Sequence, residues 1–293
     1  MIISTVIRTS SKLALIYTTT LLTAAFTVFV SAQDVIRVNG STTVNPVVAE
    51  AAEILKKEQN ISIQVDTQGG SSGGITALGG DRVDIAMSSR SLNEKDSEKY
   101  PSTNFKPVKI GADAVAIIVS KDVWDGGVKK ITKANMQRIY EKKVKNWKDV
   151  GGAKRRIAFF NKEPGRGTWE VFAKWLYGKA DKAPSVAHPE VGANEEARNK
   201  VKGSRGALSQ LSASWVDNKS IFALAVELED GSLVPPSGEN IVSEKYPLSR
   251  PLLVITDGEP TGNTKLLIDF LLSDRGQELV KKYGYLSLAD LKN

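Results

Sequence analysis

Between Val35 and Met87, short β-type runs alternate with helical stretches, and strands enter helices through loops of glycine and hydroxyl residues. This alternation constrains the chain more than any other feature, because strands joined by helices line up in parallel and need cover on both faces. Val35-Ile36-Arg37-Val38 leads into Asn39-Gly40-Ser41-Thr42-Thr43. A helix is expected from Asn45-Pro46, a cap residue followed by Pro in the first turn. Val48, Ala51, Ala52 and Leu55 then recur at helical spacing, with Glu53, Lys56, Lys57 and Glu58 on the wet side. Residues 61–65 alternate as a second strand and run into Gln68-Gly69-Gly70-Ser71-Ser72-Gly73-Gly74-Ile75. Ile75, Ala77 and Leu78 predict a short helix ended by Gly79-Gly80, and residues 83–87 form a third strand.

The pattern recurs downstream. Residues 114–119 read as an apolar strand, 133–140 as a helix and 156–160 as a strand. The last enters Asn161-Lys162-Glu163-Pro164-Gly165-Arg166-Gly167-Thr168, before a helix with Trp169, Phe172, Ala173, Leu176 and Tyr177 on one face. Residues 221–226 and 252–255 read as strands, and helices around 266–272 and 276–282 close the chain. The expected class is α/β with a largely parallel sheet, in two copies.

Composition narrows the chemistry. The 293 residues suffice for one large or two ordinary domains. Absence of cysteine excludes disulfides, thiolate catalysis and a lipid-anchored N-terminal Cys, and a single histidine leaves little for a His-based metal site. No metal or cofactor is called for. Residues 1–32 read as a cleaved signal peptide: Arg8 and Lys12 precede the uncharged, Thr-rich run 13–30, and Val30-Ser31-Ala32 is a small-x-small cleavage pattern. The alternative is a retained anchor, since such a run could just span a bilayer. Export to the periplasm follows from the first reading. Removing Arg8 and Lys12 takes two from the formal charge of +7, leaving +5. The basic residues are scattered among acidic ones, so no nucleic-acid partner is expected.

Three loops share one design: Gly40–Val44 (GSTTV), Gly69–Gly74 (GGSSGG) and Gly165–Thr168 (GRGT) each join glycine to Ser or Thr between a strand and a helix. The first N–H groups of a helix lack intrahelical acceptors and sit at the positive end of its dipole. Hydroxyls add donors, and glycine lets backbone approach a ligand. Such loops line the crevice at the carboxyl ends of the strands. With Lys162 and Arg166 beside the third loop, they point to one small oxyanion held from several sides. A serine hydrolase is the competing reading, because Gly69–Gly73 spells G-x-S-x-G around Ser71 and His188 follows it. It leaves the other two loops without a role, and no Walker sequence is present.

These residues resemble the exported phosphate-binding proteins that serve ABC-type phosphate importers. The likeness runs through GSTTVNP (40–46), GGSSGGI (69–75), VDIAMSSR (83–90), NWKDVGG (146–152), GRGTWEVF (165–172) and the stretch 246–280. It implies a two-lobe type II periplasmic binding protein with a two-strand hinge and a ligand cleft between lobes. Lobe one would comprise 33–111 and 251–293, and lobe two 112–250. The resemblance implies a monomer that catalyses nothing and delivers phosphate to a membrane permease. It places ligand contacts on Thr42, Thr43, Ser71, Gly167 and Thr168, with Ser41 and Ser72 beside them. Three positions depart from the family's pattern. Lys162 stands where the family has Arg, Arg166 where it has Ser, and Ser89 where it has an Asp that accepts from a protonated phosphate. Ser89 can accept that bond but does not repel sulfate, which leaves sulfate or arsenate open as ligands. Arg90 is expected either at the ligand or in a salt bridge within lobe one, and Glu163 is a substitute acceptor.

Overall fold

The computed structural model describes residues 35–292. The expected signal peptide, residues 1–32, lies outside the described residues. In chain order the first segment runs β1 (Ile36–Gly40), α1 (Asn45–Gln59), β2 (Ile63–Asp66), α2 (Gly70–Gly79), β3 (Ile85–Ser88) and α3 (Glu94–Lys99). A long strand, β4 (Phe105–Ser120), leads into the second segment. That segment contains α4 (Lys121–Asp125), β5 (Lys130–Thr132), α5 (Lys133–Tyr140), β6 (Ala158–Lys162), α6 (Gly167–Tyr177), β7 (Glu190–Val191) and α7 (Asn194–Gly203). It continues through β8 (Ala207–Ser212), β9 (Ile221–Ala223), β10 (Ala225–Glu227), β11 (Leu233–Val234) and α8 (Gly238–Val242). The chain returns along β12 (Ser249–Asp257) and ends in α9 (Gly262–Leu272) and α10 (Asp274–Lys282). Among the described residues no helix is long and apolar enough to cross a membrane.

The strands form one curled path, β2-β1-β3-β12-β4-β8-β6-β7, with β9 pairing β4 and a small sheet β11-β10-β5 apart. β1 pairs in parallel with β2 and β3, and β6 with β7 and β8. The expected two parallel sheets are therefore halves of one mixed sheet. They are joined by β4 and β12, which lie antiparallel to each other over nine paired positions. β4 was legible only in its second half. Its first residues alternate in exposure along the sheet edge of one lobe, whereas Ile110–Ser120 is buried throughout.

Each half has its own core. One packs Val38, Val44, Val48, Leu55, Ile85 and Met87 against Leu252, Val254, Leu267 and Val280. The other gathers Val115, Ile117, Met136, Trp147, Phe172, Leu208 and Tyr246. Trp147 is buried and donates its Nε1–H to the Gly206 carbonyl (3.0 Å). Burying such side chains is worth about 1.5–3 kcal/mol each, so each half carries its own source of stability.

Three local expectations are corrected. Gly70–Gly74 and Gly167-Thr168 are first turns of helices rather than loops before them. The cap of α1 is Val44, with no side-chain bond, while Ser41 Oγ accepts from the Thr43 and Val44 amides (3.2 and 3.4 Å). The apolar run 221–226 breaks at Leu224, so β9 joins the main sheet and β10 the small one.

Candidate functional site

The carboxyl ends of β1, β3 and β6 open onto one cleft, and the three Gly-hydroxyl segments meet there. They enclose a small cavity lined by Ser41, Thr42, Thr43, Gly70, Ser71, Ser89, Lys162, Arg166, Gly167, Thr168 and Gly192. Nine of the ten sequence-predicted site residues are in that lining. Ser72 is not: its hydroxyl donates to Glu170 Oε1 (2.5 Å) and accepts from Arg90 Nη2 (2.9 Å).

Two glycines are required by close approach. Gly70 has φ +61°, and a Cβ there would lie 2.6 Å from Arg166 Cδ. A Cβ on Gly167 would lie 2.5 Å from Ser71 Oγ and 2.7 Å from Ser89 Oγ, so the start of α6 reaches these serines only through glycine.

Lys162 ends β6 with its side chain buried, held by the carbonyls of Gly192 (2.7 Å) and Ala193 (2.9 Å) and by Asn194 Oδ1 (3.3 Å). Among the described residues it has no carboxylate within ion-pair distance. Burial pushes its pKa down to about 7, with Arg166 and Arg250 adding repulsion. Arg166 is offset by Glu163 (2.7 Å) and also donates to the Thr67 carbonyl across the cleft (3.4 Å). Glu163 is thus engaged by Arg166. No carboxylate lines the cavity.

Sequence reading missed a second buried cation. Arg250 on β12 pairs in register with Asp113 on β4, at 2.7 Å and 3.0 Å. Its guanidinium also donates to Thr168 Oγ1 (2.9 Å), Thr43 Oγ1 (3.2 Å) and Ser89 Oγ (3.3 Å). The available signal was an arginine opening an apolar strand in Ser249-Arg250-Pro251-Leu252. Arg90 is drawn to the rim, where it bonds Asp96 (2.7 Å) within its own lobe and Glu170 (2.6 Å) across the cleft. Burial raises the Glu170 carboxyl above its ordinary range, with Arg90 and Ser72 pulling the other way.

Ser71 and His188 are not brought together as a dyad. Ser71 Oγ accepts from the Ser89 amide (3.1 Å), while the His188 ring bonds the Tyr140 carbonyl (2.6 Å) and packs on Phe159.

Two half-sheets with separate cores, sharing a strand pair and facing each other over a donor-lined cleft, define a two-lobe solute-binding protein. A PBP superfamily domain model matches residues 27–275. A Bacillus subtilis protein named phosphate-binding protein PstS is 30% identical over 261 residues, covering 87% of this chain and 81% of its own. A Borreliella burgdorferi protein of the same name is 27% identical, with 87% and 91% covered. Among solved structures, a candidate phosphate ABC transporter substrate-binding protein of Clostridium perfringens, with bound phosphate, superposes with a TM-score of 0.76. It is 31% identical and covers 87% of this chain and 100% of its own. An ABC-type phosphate transport receptor from Vibrio cholerae gives a TM-score of 0.69 at 29% identity, covering 86% and 99%. The chain belongs to the PBP superfamily and, with these relatives, to its PstS-like phosphate-binding proteins.

Proposed function

We propose that this protein captures inorganic phosphate between its two lobes outside the cytoplasm and hands it to an ABC permease. The observation that carries this reading is the convergence of hydroxyls and helix starts from both lobes around Lys162, a buried ammonium held only by neutral oxygens. An unneutralised buried cation is costly, and a bound oxyanion removes that cost while using the donors that surround it. The named relatives support phosphate as that oxyanion.

In this reading the lobes are 33–111 with 251–293, and 112–250, turning about β4 and β12. Ser41, Thr42, Thr43, Ser71, Ser89, Lys162, Arg166, Gly167 and Thr168 surround the ligand, and Ser72 serves the rim. Residues 1–32 direct export and are removed, leaving a monomeric receptor without catalytic activity. Closure around the anion provides the shape that a permease recognises.

The test is a calorimetric titration of the phosphate-stripped protein. One phosphate per chain is expected, with sulfate and arsenate as competitors. Absence of phosphate binding in the folded protein overturns the proposal.

A further inference from the structure

Arg250 does not line the cavity, yet its guanidinium touches three of the hydroxyls that do. A hydroxyl has one hydrogen and two acceptor positions. Arginine only donates, so each hydroxyl oxygen it contacts must accept there and turn its own hydrogen elsewhere. At Thr43 the constraint is complete. Its Oγ1 accepts from Arg250 Nη2 (3.2 Å) and from Asn194 Nδ2 (3.1 Å), which occupies both acceptor positions. The Asn194 amide is itself oriented, because its Oδ1 faces Lys162 Nζ (3.3 Å). Thr168 Oγ1 and Ser89 Oγ each have one acceptor position taken by Arg250 Nη1, and Ser89 Oγ also meets Ser71 Oγ (3.4 Å), a contact in which either hydroxyl can donate.

Resting on the phosphate-receptor reading, we infer that Arg250 is a positioning residue for the anion: anchored by Asp113 on the hinge strands, it turns the hydroxyls of Thr43, Ser89 and Thr168 into donors aimed at the ligand. The geometry explains why a buried arginine sits behind the cavity with its carboxylate on the partner hinge strand. Asp113 offsets the charge and leaves the rest of the guanidinium fork for the hydroxyls. Arg250 and Thr168 belong to one lobe and Thr43 and Ser89 to the other, so the bonds to Thr43 and Ser89 exist only when the lobes are together. One side chain on the hinge thus prepares donors on both walls. The same logic extends to Ser41, whose Oγ already accepts from two backbone amides and keeps its hydrogen to give.

The experiment is a double-mutant cycle read by calorimetric titration of the phosphate-stripped full chain with inorganic phosphate. Arg250→Lys keeps the charge but loses the fork, and is expected to weaken binding about tenfold with an unchanged unfolding midpoint. Thr168→Val is expected to weaken the otherwise native protein about tenfold but the Arg250→Lys protein only about twofold, because the two act through one bond. If Arg250→Lys does not fold, the neutral pair Arg250→Gln with Asp113→Asn takes its place, with the same expected coupling to Thr168→Val. Native affinity in the Arg250 variant, or losses that simply multiply with that of Thr168→Val, overturns the inference while leaving the receptor reading intact. Failure of the native protein to bind phosphate removes the receptor reading and this inference together.

Discussion

Two clusters join the lobes, and they treat their buried cations in opposite ways. At the rim, Arg90 has Asp96 and Glu170 against it at 2.7 and 2.6 Å, with Ser72 completing the set. In the cavity, Lys162 has two carbonyls and an amide oxygen and no carboxylate. The rim's charges offset one another, and in the proposed receptor this pairing across the cleft is the latch. The cavity carries a charge that wants an anion. The difference teaches where specificity can reside: the protein's own carboxylates offset the first cluster, and in the proposed receptor the oxyanion offsets the second.

The strongest way to break this contrast is to remove the cation that lacks a partner. Lys162→Met is expected to weaken phosphate binding by about 100-fold, the scale of losing one partner of a buried charged contact. The free protein should unfold no earlier, since a poorly compensated charge has left its interior. Calorimetry and thermal unfolding check the two halves of that statement. Next comes the fit of the lobes. Gly167→Ala places a methyl against Ser71 and Ser89, and overpacking of this kind costs about 1–3 kcal/mol, or roughly five- to 150-fold in affinity.

The pH dependence sharpens the same point. Lys162 has its folded pKa lowered to about 7 from an ordinary value of 10.5. Between those values the unfolded chain holds a proton that the folded chain lacks, so the free protein gains stability as pH rises through that window. Anion binding needs the protonated ammonium. Above pH 7 it must draw in a proton, and affinity falls by up to about tenfold per pH unit. Lys162→Arg keeps its charge and should abolish the alkaline fall, as titrations from pH 7 to 10 would show. The smallest effect belongs to the rim. Ser72→Ala should change phosphate affinity by less than about threefold, because its hydroxyl serves Glu170 and Arg90 and not the cavity. A large loss there would mean that latch and cavity are one unit.

Much of this was legible in the chain because it depends on local spacing. The Gly-hydroxyl segments lie where strand patterns give way to helical ones, and seven residues read from them share one cavity with Ser89 and Lys162. The resemblance implied a two-strand hinge and left Arg90 a salt bridge within its lobe. The cross-cleft latch contact and the ion pair on the hinge strands were not legible, because both are made by partners distant in sequence. Arg90 meets Glu170, and Arg250 meets Asp113, only after the chain has crossed to the second lobe and returned. Ser72 shows the same limit. Its neighbour Ser71 faces the cavity and it faces the rim, because successive residues in the first turn of α2 point in different directions. The half-exposed start of β4 hid the first part of a hinge strand, because only residues 114–119 form a continuous apolar run.

The central claim is that an oxyanion neutralises Lys162 inside the closed cleft. It is tested most directly by following the Lys162 side-chain ammonium by NMR in the phosphate-stripped protein while phosphate is added at pH 8. The account predicts that Lys162 is largely neutral without phosphate and becomes protonated as one equivalent binds, with its pKa moving up from about 7. Phosphate binding with no change in the Lys162 titration would contradict it.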